Sequence, residues 1–273
     1  CNCFSSIPDF LHDGDSNCTA FTEQIQRNGG IIQNGLKGGM VKLSILKAKE
    51  VSYIYKSKYQ TVKAVSDVSC TFDTGKVYAI VGHSGSGKTT FLSLLAGLDL
   101  PTKGEIYLED KPMSTLDRDK YRRNTASVVY QSFNLFPLLT ALENVAYPME
   151  LKGVPTKEAK EKAKELISKV GLEERIYNQL PLMMSGGEQQ RVAIARALAV
   201  GGKILLADEP TGNLDTANGN IVVELLGKLA HDEGYAVIII THDMSIADRA
   251  DVVYTMKDGK LATKGGSFNG TTS

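Results

Sequence analysis

From Met40 onward the chain alternates apolar and polar residues, and "MVKLSILKAKEVSYIY" reads as a half-buried β-strand that opens a domain. "VKAVSDVSCTF" continues the alternation. "KVYAIVG" differs in being mostly apolar, as a parallel strand covered on both faces must be. "KTTFLSLLAGL" then takes helical spacing and is closed by Gly97, and "GEIYLED" returns to a strand. Between residues 138 and 180, "TALENVAYPMELKG" and "TKEAKEKAKELISKVGL" are successive amphipathic helices whose charged face is built from Lys and Glu. A buried strand "KILLAD", a helix near 216–232, the strand "YAVIIITH" and a hairpin "DVVYTMKDGKLAT" around Asp258-Gly259 complete the pattern. Strands and helices alternate, so the expected fold is a parallel α/β core with a helical insertion. No internal repeat and no heptad run is evident.

Residues 1–39 break this pattern. They are rich in Asn, Gly and Ser, lack periodicity, and end in "NGLKGG", a linker-like composition. Cys1, Cys3 and Cys18 crowd this segment with His12 between them, and Cys70 stands apart. Their spacing matches no zinc finger, and a cysteine at position 1 raises a processed lipoprotein as an alternative. An unstructured leader is the favoured expectation. The 31 basic and 31 acidic residues cancel, so no long-range field draws the chain to nucleic acid or to an anionic membrane. Apolar stretches such as "AVIII" at 236–240 are far too short to span a bilayer, and no secretory signal is visible, so the chain reads as soluble and intracellular.

Two segments carry chemistry. "GHSGSGKT", residues 82–89, fits G-x-x-x-x-G-K-[ST] between a strand and a helix. Gly82, Gly85 and Gly87 let the backbone N–H groups of Gly82, His83, Ser84, Gly85, Ser86 and Gly87 curl around phosphate at a positive helix end. Lys88 would reach the β- and γ-phosphates and the Thr89 hydroxyl would ligate magnesium, with Thr90 next along the helix. His83 stands at a free position of the motif, and its ring carries no assigned role. The bland alternative, a glycine-rich turn, does not account for the strand–loop–helix context. "KILLADEP", residues 203–210, delivers two carboxylates from an apolar strand, which is costly unless a cation waits there. Asp208 would hold the magnesium through water, and Glu209 would orient or deprotonate the attacking water. Gln131 closes "ASVVYQ" and His242 ends "VIIITH"; each alone would be unremarkable.

"MSGGEQQRVAIARAL", residues 184–198, poses a separate question. Val192, Ala195 and Leu198 recur at helical spacing, and Ser185 with Glu188 makes a capping box. A helix that needed only a cap would not place Gly186 and Gly187 in its first turn.

Taken in order, the P-loop, the strand-end glutamine, "SGGEQQR", "LLADEPTGNLD" and a terminal "TH" resemble the ATPase subunit of an ATP-binding cassette (ABC) transporter over about residues 41–264. The resemblance implies an α/β P-loop NTPase core with an antiparallel β subdomain and a helical subdomain. Along the chain it implies a flexible extension at 1–39, core with the β subdomain at 40–131, the helical subdomain at 132–198, the rest of the core at 199–264, and a tail at 265–273. It also implies ATP and Mg2+ as cofactors. Tyr55, rather than Tyr53, would stack on adenine, residues 82–90 would bind ATP, and Thr89, Gln131 and Asp208 would surround the metal. Lys88, Gln131, Glu209 and His242 would serve hydrolysis.

In such subunits the signature helix of one copy points at the γ-phosphate bound by the other. Ser185, Gly186, Gly187 and Glu188 would therefore find their ligand across a homodimer, with Asp215 on the loop that crosses the interface. Met184 and Glu188 depart from the family's usual Leu and Gln. The partners implied are a second copy and a separate transmembrane permease, with no nucleic acid, at the cytoplasmic face of the membrane.

"ADEPTGNLD" and "NLFPLLTALENV" are most similar to the branch serving macrolide and peptide efflux, lipoprotein release and cell division. The alternatives are an importer ATPase and a non-transport ABC ATPase. The second fits poorly, because Lys88 and Ser185 are only 97 residues apart (185 − 88), leaving no room for a long coiled coil. Residues 1–39 bury little by composition, so their deletion should leave ATPase rate and melting temperature unchanged. A large loss in either would assign them a role.

Overall fold

The computed structural model describes residues 44–263. The expected domain start at Met40, the three N-terminal cysteines with His12, and the tail at 265–273 lie outside the described residues. β1 (Leu46–Lys56) and β2 (Thr61–Phe72) form a long antiparallel pair, from Leu46 opposite Phe72 to Tyr55 opposite Val62. β1 also pairs with β4 (Lys103–Leu108), and β5 (Lys111–Pro112) completes a four-stranded antiparallel sheet in the order β2-β1-β4-β5. Glu50 takes a positive φ of 51°, and the register of β1 shifts on both its edges there, the mark of a bulge.

The second sheet has six strands in the order β10-β9-β3-β8-β7-β6. β3 (Lys76–Val81), β6 (Ala126–Tyr130), β7 (Ile204–Asp208), β8 (Ala236–Thr241) and β9 (Val252–Lys257) run parallel, and β10 (Lys260–Thr263) returns antiparallel against β9. Asp258 and Gly259 join that hairpin with φ of 50° and 76°, the left-handed pair of a two-residue turn.

Because successive side chains alternate faces, β7 and β8 feed two cores. Ile204, Leu206, Ile238 and Ile240 pack toward α1 (Lys88–Leu95) and the antiparallel sheet. Leu205, Ala207, Val237 and Ile239 pack on the other face, with the remaining large helices. The apolar runs in the sequence are thus strands covered on both sides. Cys70 is buried in the first core, and burial pushes its thiol up, which leaves it a small apolar side chain without nucleophilic character.

After the short α2 (Arg118–Asn124) and β6, the chain enters the helical part: α3 (Ala141–Glu150), α4 (Thr156–Lys169) and α5 (Gly186–Leu198). Thr140 and Glu143 make a capping box at the start of α3, and Ala159, Ala163 and Ile167 form the buried stripe of α4. α6 (Thr216–His231) and the short α7 (Met244–Ala247) follow, on either side of β8.

The segment between β6 and α3 is irregular, with Phe133 and Asn134 both at positive φ. Two side chains hold it. Arg196 of α5 donates to the carbonyls of Asn134 at 2.6 Å and Phe133 at 3.0 Å. Asn144, fully buried in α3, accepts from the Phe136 N–H at 2.8 Å and donates to the carbonyls of Phe136, Leu139 and Thr140 at 3.1, 2.9 and 3.0 Å. Its amide replaces backbone pairing that the loop cannot supply itself. Asn144→Ala should therefore cost about 1–3 kcal/mol of stability, since it removes this partner from the Phe136 N–H and the Leu139 carbonyl. Urea denaturation measures this, and a loss within ~0.5 kcal/mol of zero would refute it.

Candidate functional site

β3 ends at Val81, and residues 82–87 turn sharply into α1. Gly82 has no room for a side chain, since a Cβ there would lie 2.2 Å from the Met256 carbonyl. Gly87 is doubly constrained, with φ of 102° and the Ala64 carbonyl 2.1 Å from where its Cβ would stand. Inside the loop, the buried Lys88 ammonium donates to the carbonyls of Gly82 at 2.8 Å and His83 at 2.9 Å. With those carbonyls engaged by Lys88, the loop is wound around a fixed positive charge.

This loop borders a cavity of about 1210 Å³. Gly82, His83, Ser84, Gly85, Gly87, Lys88, Thr89 and Thr90 line it, together with Tyr55, Gln131, Glu209 and His242. Tyr55 reaches in from β1, its hydroxyl 3.3 Å from Thr90 Oγ1. Tyr53 turns elsewhere: its hydroxyl donates to the Asp99 carboxylate, and only its ring edge meets Tyr55, with centroids 4.9 Å apart. Ser86 does not line the cavity; its hydroxyl is buried and has no partner among the described residues.

The carboxylates arrive from β7. Asp208 is hydrogen-bonded to the Thr89 side chain. Burial pushes its carboxyl above the usual range, Glu209 adds to that, and the Thr89 hydroxyl and Lys88 oppose it. Glu209 has a positive φ of 49°, its N–H donating to Ile240 at 2.9 Å, and its Oε2 lies 2.7 Å from His242 Nδ1. That left-handed backbone turns the Glu209 side chain away from the line of the strand and toward the end of β8.

Gln131 is braced by Asn213: the Gln131 amide donates to Asn213 Oδ1 at 3.3 Å, and the Asn213 amide donates to the Gln131 carbonyl at 3.0 Å. Gly212 makes this possible, since a Cβ there would lie 2.6 Å from Gln131 Nε2. Among the described residues no group of three or more His, Cys, Asp or Glu could hold a metal alone. Mg2+ takes one or two carboxylates and completes its shell with water and substrate phosphates. The Thr89 hydroxyl beside Asp208 supplies hard oxygen donors of the right kind.

Ser185, Gly186, Gly187, Glu188 and Asp215 do not line this cavity. Ser185 caps α5: its hydroxyl accepts from the Glu188 N–H at 3.3 Å, while Glu188 Oε2 accepts from the Ser185 N–H at 2.8 Å. Arg175 donates to Glu188 Oε1 at 2.6 Å. Burial raises the Glu188 carboxyl, but the Ser185 N–H, the Arg175 guanidinium and the Ser185 hydroxyl outweigh it and hold it below the usual range. Asp215 caps α6, accepting from the Asn218 backbone and side-chain amides, both at 2.8 Å.

Gly187 also has a role inside its own chain. A Cβ on Gly187 would stand 2.2 Å from Asn218 Oδ1, and Asp215 holds that side chain in place, so Gly187 is a packing requirement. Gly186 meets only ordinary contacts, the nearest being Leu214 at 3.4 Å.

Several residues escaped the sequence reading. Val62, Lys63 and Ala64 on β2, and Lys257, Asp258 and Gly259 at the β9–β10 turn, also line the cavity. Asp258-Gly259 was legible as a hairpin but carried no sign of where the turn would dock. Asn213, Asn218 and Arg175 had no local signal at all.

A glycine-tight loop around a buried lysine, with a carboxylate pair at the end of a strand one place removed in the same sheet, defines a P-loop nucleoside triphosphatase. The sequence narrows the class further, matching the ABC transporter family over residues 65–212. The chain belongs to that family, and it is an ATP-binding, ATP-hydrolysing subunit of it.

Among its relatives is the lipoprotein-releasing system ATP-binding protein LolD of Idiomarina loihiensis, 40% identical over 80% of this chain and 96% of that one. The macrolide export ATP-binding/permease protein MacB of Hyphomonas neptunium is 42% identical, over 82% of this chain but only 35% of its own length. The dimeric cassette MJ0796 of Methanocaldococcus jannaschii superposes with a TM-score of 0.74 at 40% identity, covering 81% of this chain and all of that one. A second structure of that cassette is a post-hydrolysis dimer bound to ADP and Pi.

Asp208 gives a pH-dependent prediction. Its folded pKa is raised, so the fold disfavours its charge, and that penalty is present above the folded pKa and absent below the unfolded value of about 3.9. Without nucleotide, Asp208→Asn should melt higher than the parent near pH ~7, the gap closing as pH falls toward about 4. Melting curves across that range check it, and a lower melting temperature at neutral pH would contradict the stated cause.

Proposed function

We propose that this chain works as one half of a head-to-tail homodimer that closes around two ATP molecules and drives a separate transmembrane permease. The observation that carries the reading is the separation of the site. Lys88, Glu209 and His242 share one cavity, whereas the N-terminus of α5, with Ser185 and Gly186, lies outside it. A helix start with free N–H groups is a phosphate site, and it is completed by a second copy's nucleotide.

In this reading Tyr55 stacks on adenine, residues 82–90 cradle the phosphates, and Lys88 neutralises the β- and γ-phosphates. Thr89 and Gln131, with Asp208, are the residues that would hold Mg2+, which would supply charge compensation to the phosphates. Glu209 takes the proton of the attacking water as its oxygen bonds to the γ-phosphorus and the bond to the β-phosphate oxygen breaks, giving ADP and phosphate. The His242 ring, 2.7 Å from the Glu209 carboxylate, aims that base and reaches the γ-phosphate. Asp215 lies on the loop crossing between protomers. Residues 40–131 and 199–264 act as the nucleotide-binding core and 132–198 as the helical lobe that meets the permease.

Similarity to LolD and MacB supports the efflux and lipoprotein-release branch. Among the described residues no helix is long and apolar enough to cross a membrane. In this reading the chain attaches to the cytoplasmic face through the permease.

Glu209→Gln should slow hydrolysis by about 10²-fold or more while ATP still binds, and the protein should sediment as a dimer with two trapped nucleotides. Adding Gly186→Asp should return the monomer: there is space at Gly186, an acidic residue is favourable at a helix start, and its charge repels the partner's γ-phosphate. Sedimentation with saturating Mg-ATP, with the permease present if the isolated chain stays monomeric, gives the answer. Rapid hydrolysis by Glu209→Gln would remove this residue from its role.

A further inference from the structure

The Gly259 N–H donates to the Ser86 carbonyl at 3.0 Å, and the Gly259 carbonyl accepts from the Ser66 N–H at 2.8 Å. The β9–β10 turn therefore ties the phosphate loop to β2. The described peptides are all trans, so the carbonyl of residue 86 and the N–H of residue 87 point in opposite directions. With the Ser86 carbonyl held back by Gly259, the Gly87 N–H is turned the other way. Gly87 lines the cavity and Ser86 does not.

We propose that Gly259 is a positioning residue for nucleotide binding: its N–H fixes the Ser86–Gly87 peptide so that the Gly87 N–H is aimed at the nucleotide phosphates. The inference rests on the reading of residues 82–89 as the phosphate cradle.

A side chain at this position is strained. Its φ of 76° is left-handed, and a Cβ would stand 2.9 Å from the Ala64 carbonyl and 3.2 Å from its carbon, both backbone atoms that cannot swing away. Ala64 is also the residue whose carbonyl crowds Gly87. One strand thus fixes both the loop and the turn that steers it, and any side chain at Gly259 must push the turn off Ser86. Gly153 provides a control for backbone strain, since its φ is 86° and a Cβ there would meet nothing within 4 Å.

The test compares Gly259→Val, Gly259→Ala and Gly153→Val in the full chain by calorimetric titration with ADP and by 15N–1H correlation spectra of the Gly87 amide. Gly259→Val should weaken ADP binding by about tenfold or more, the loss of one hydrogen bond to a charged group, and should abolish the ADP-induced shift of the Gly87 resonance. Gly259→Ala should lie between it and the parent, and it serves alone if the valine variant does not fold. Gly153→Val should bind ADP as the parent does, even where its melting temperature falls. Folded Gly259 variants with parental ADP affinity and an unchanged Gly87 shift would overturn the proposal. A parent chain that bound no ADP would overturn the cradle reading, and this proposal with it.

Discussion

The parallel run β9-β3-β8-β7-β6 is covered on both faces, with Ala79, Ile80, Ile204 to Ala207 and Ala236 to Ile240 all buried. An unpaired charge within it would cost several kcal/mol or more, on the order set by desolvation. The carboxylates, the imidazole and the glutamine amide can therefore stand only where the strands end. Asp208 closes β7, Glu209 follows it, His242 follows β8, Gln131 follows β6, and the glycine loop follows β3. Since these strands are parallel, their C-terminal ends fall on one edge. The site is a consequence of that exclusion.

At that edge the geometry is set by close approaches. Met256 and Ala64 press their carbonyls against Gly82 and Gly87, Lys88 draws two loop carbonyls inward, and Gly259 restrains a third. Asn213 braces Gln131, and the left-handed Glu209 backbone turns its carboxylate toward His242. Much of the loop's shape is thus fixed by contacts within the chain. Asp208 shows the converse: burial disfavours its charge in the fold.

The start of α5 is held by a different set of contacts. The Ser185–Glu188 capping box, the Arg175 ion pair and the Asn218 side chain against Gly187 together fix the orientation of this helix end. Glu188, which departs from the usual glutamine, is turned back into its own chain by Ser185 and Arg175. Asp215, which pins Asn218, also begins α6, so the start of α5 and the loop before α6 share one side chain. A second copy meeting this surface would meet the two together.

Much of this was legible in the sequence because it is local. The two-residue period of β1, the apolar runs of β3, β7 and β8, the S-x-x-E box at Ser185 and the glycine spacing of the loop are set by neighbours a few positions apart. Such signals singled out the candidate site residues and gave the order of elements.

What the sequence could not carry were contacts between residues far apart in the chain: Gly259 on Ser86, Asn213 on Gln131, Asn218 behind Gly187, Arg175 on Glu188, and the cavity walls supplied by Val62 to Ala64. None has a periodicity or a cap to announce it, because a glycine or an asparagine reads the same whether it faces solvent or a backbone carbonyl. Which of them matters is decided by packing, where two segments approach within a Cβ's width only after both sheets and the helical part have assembled.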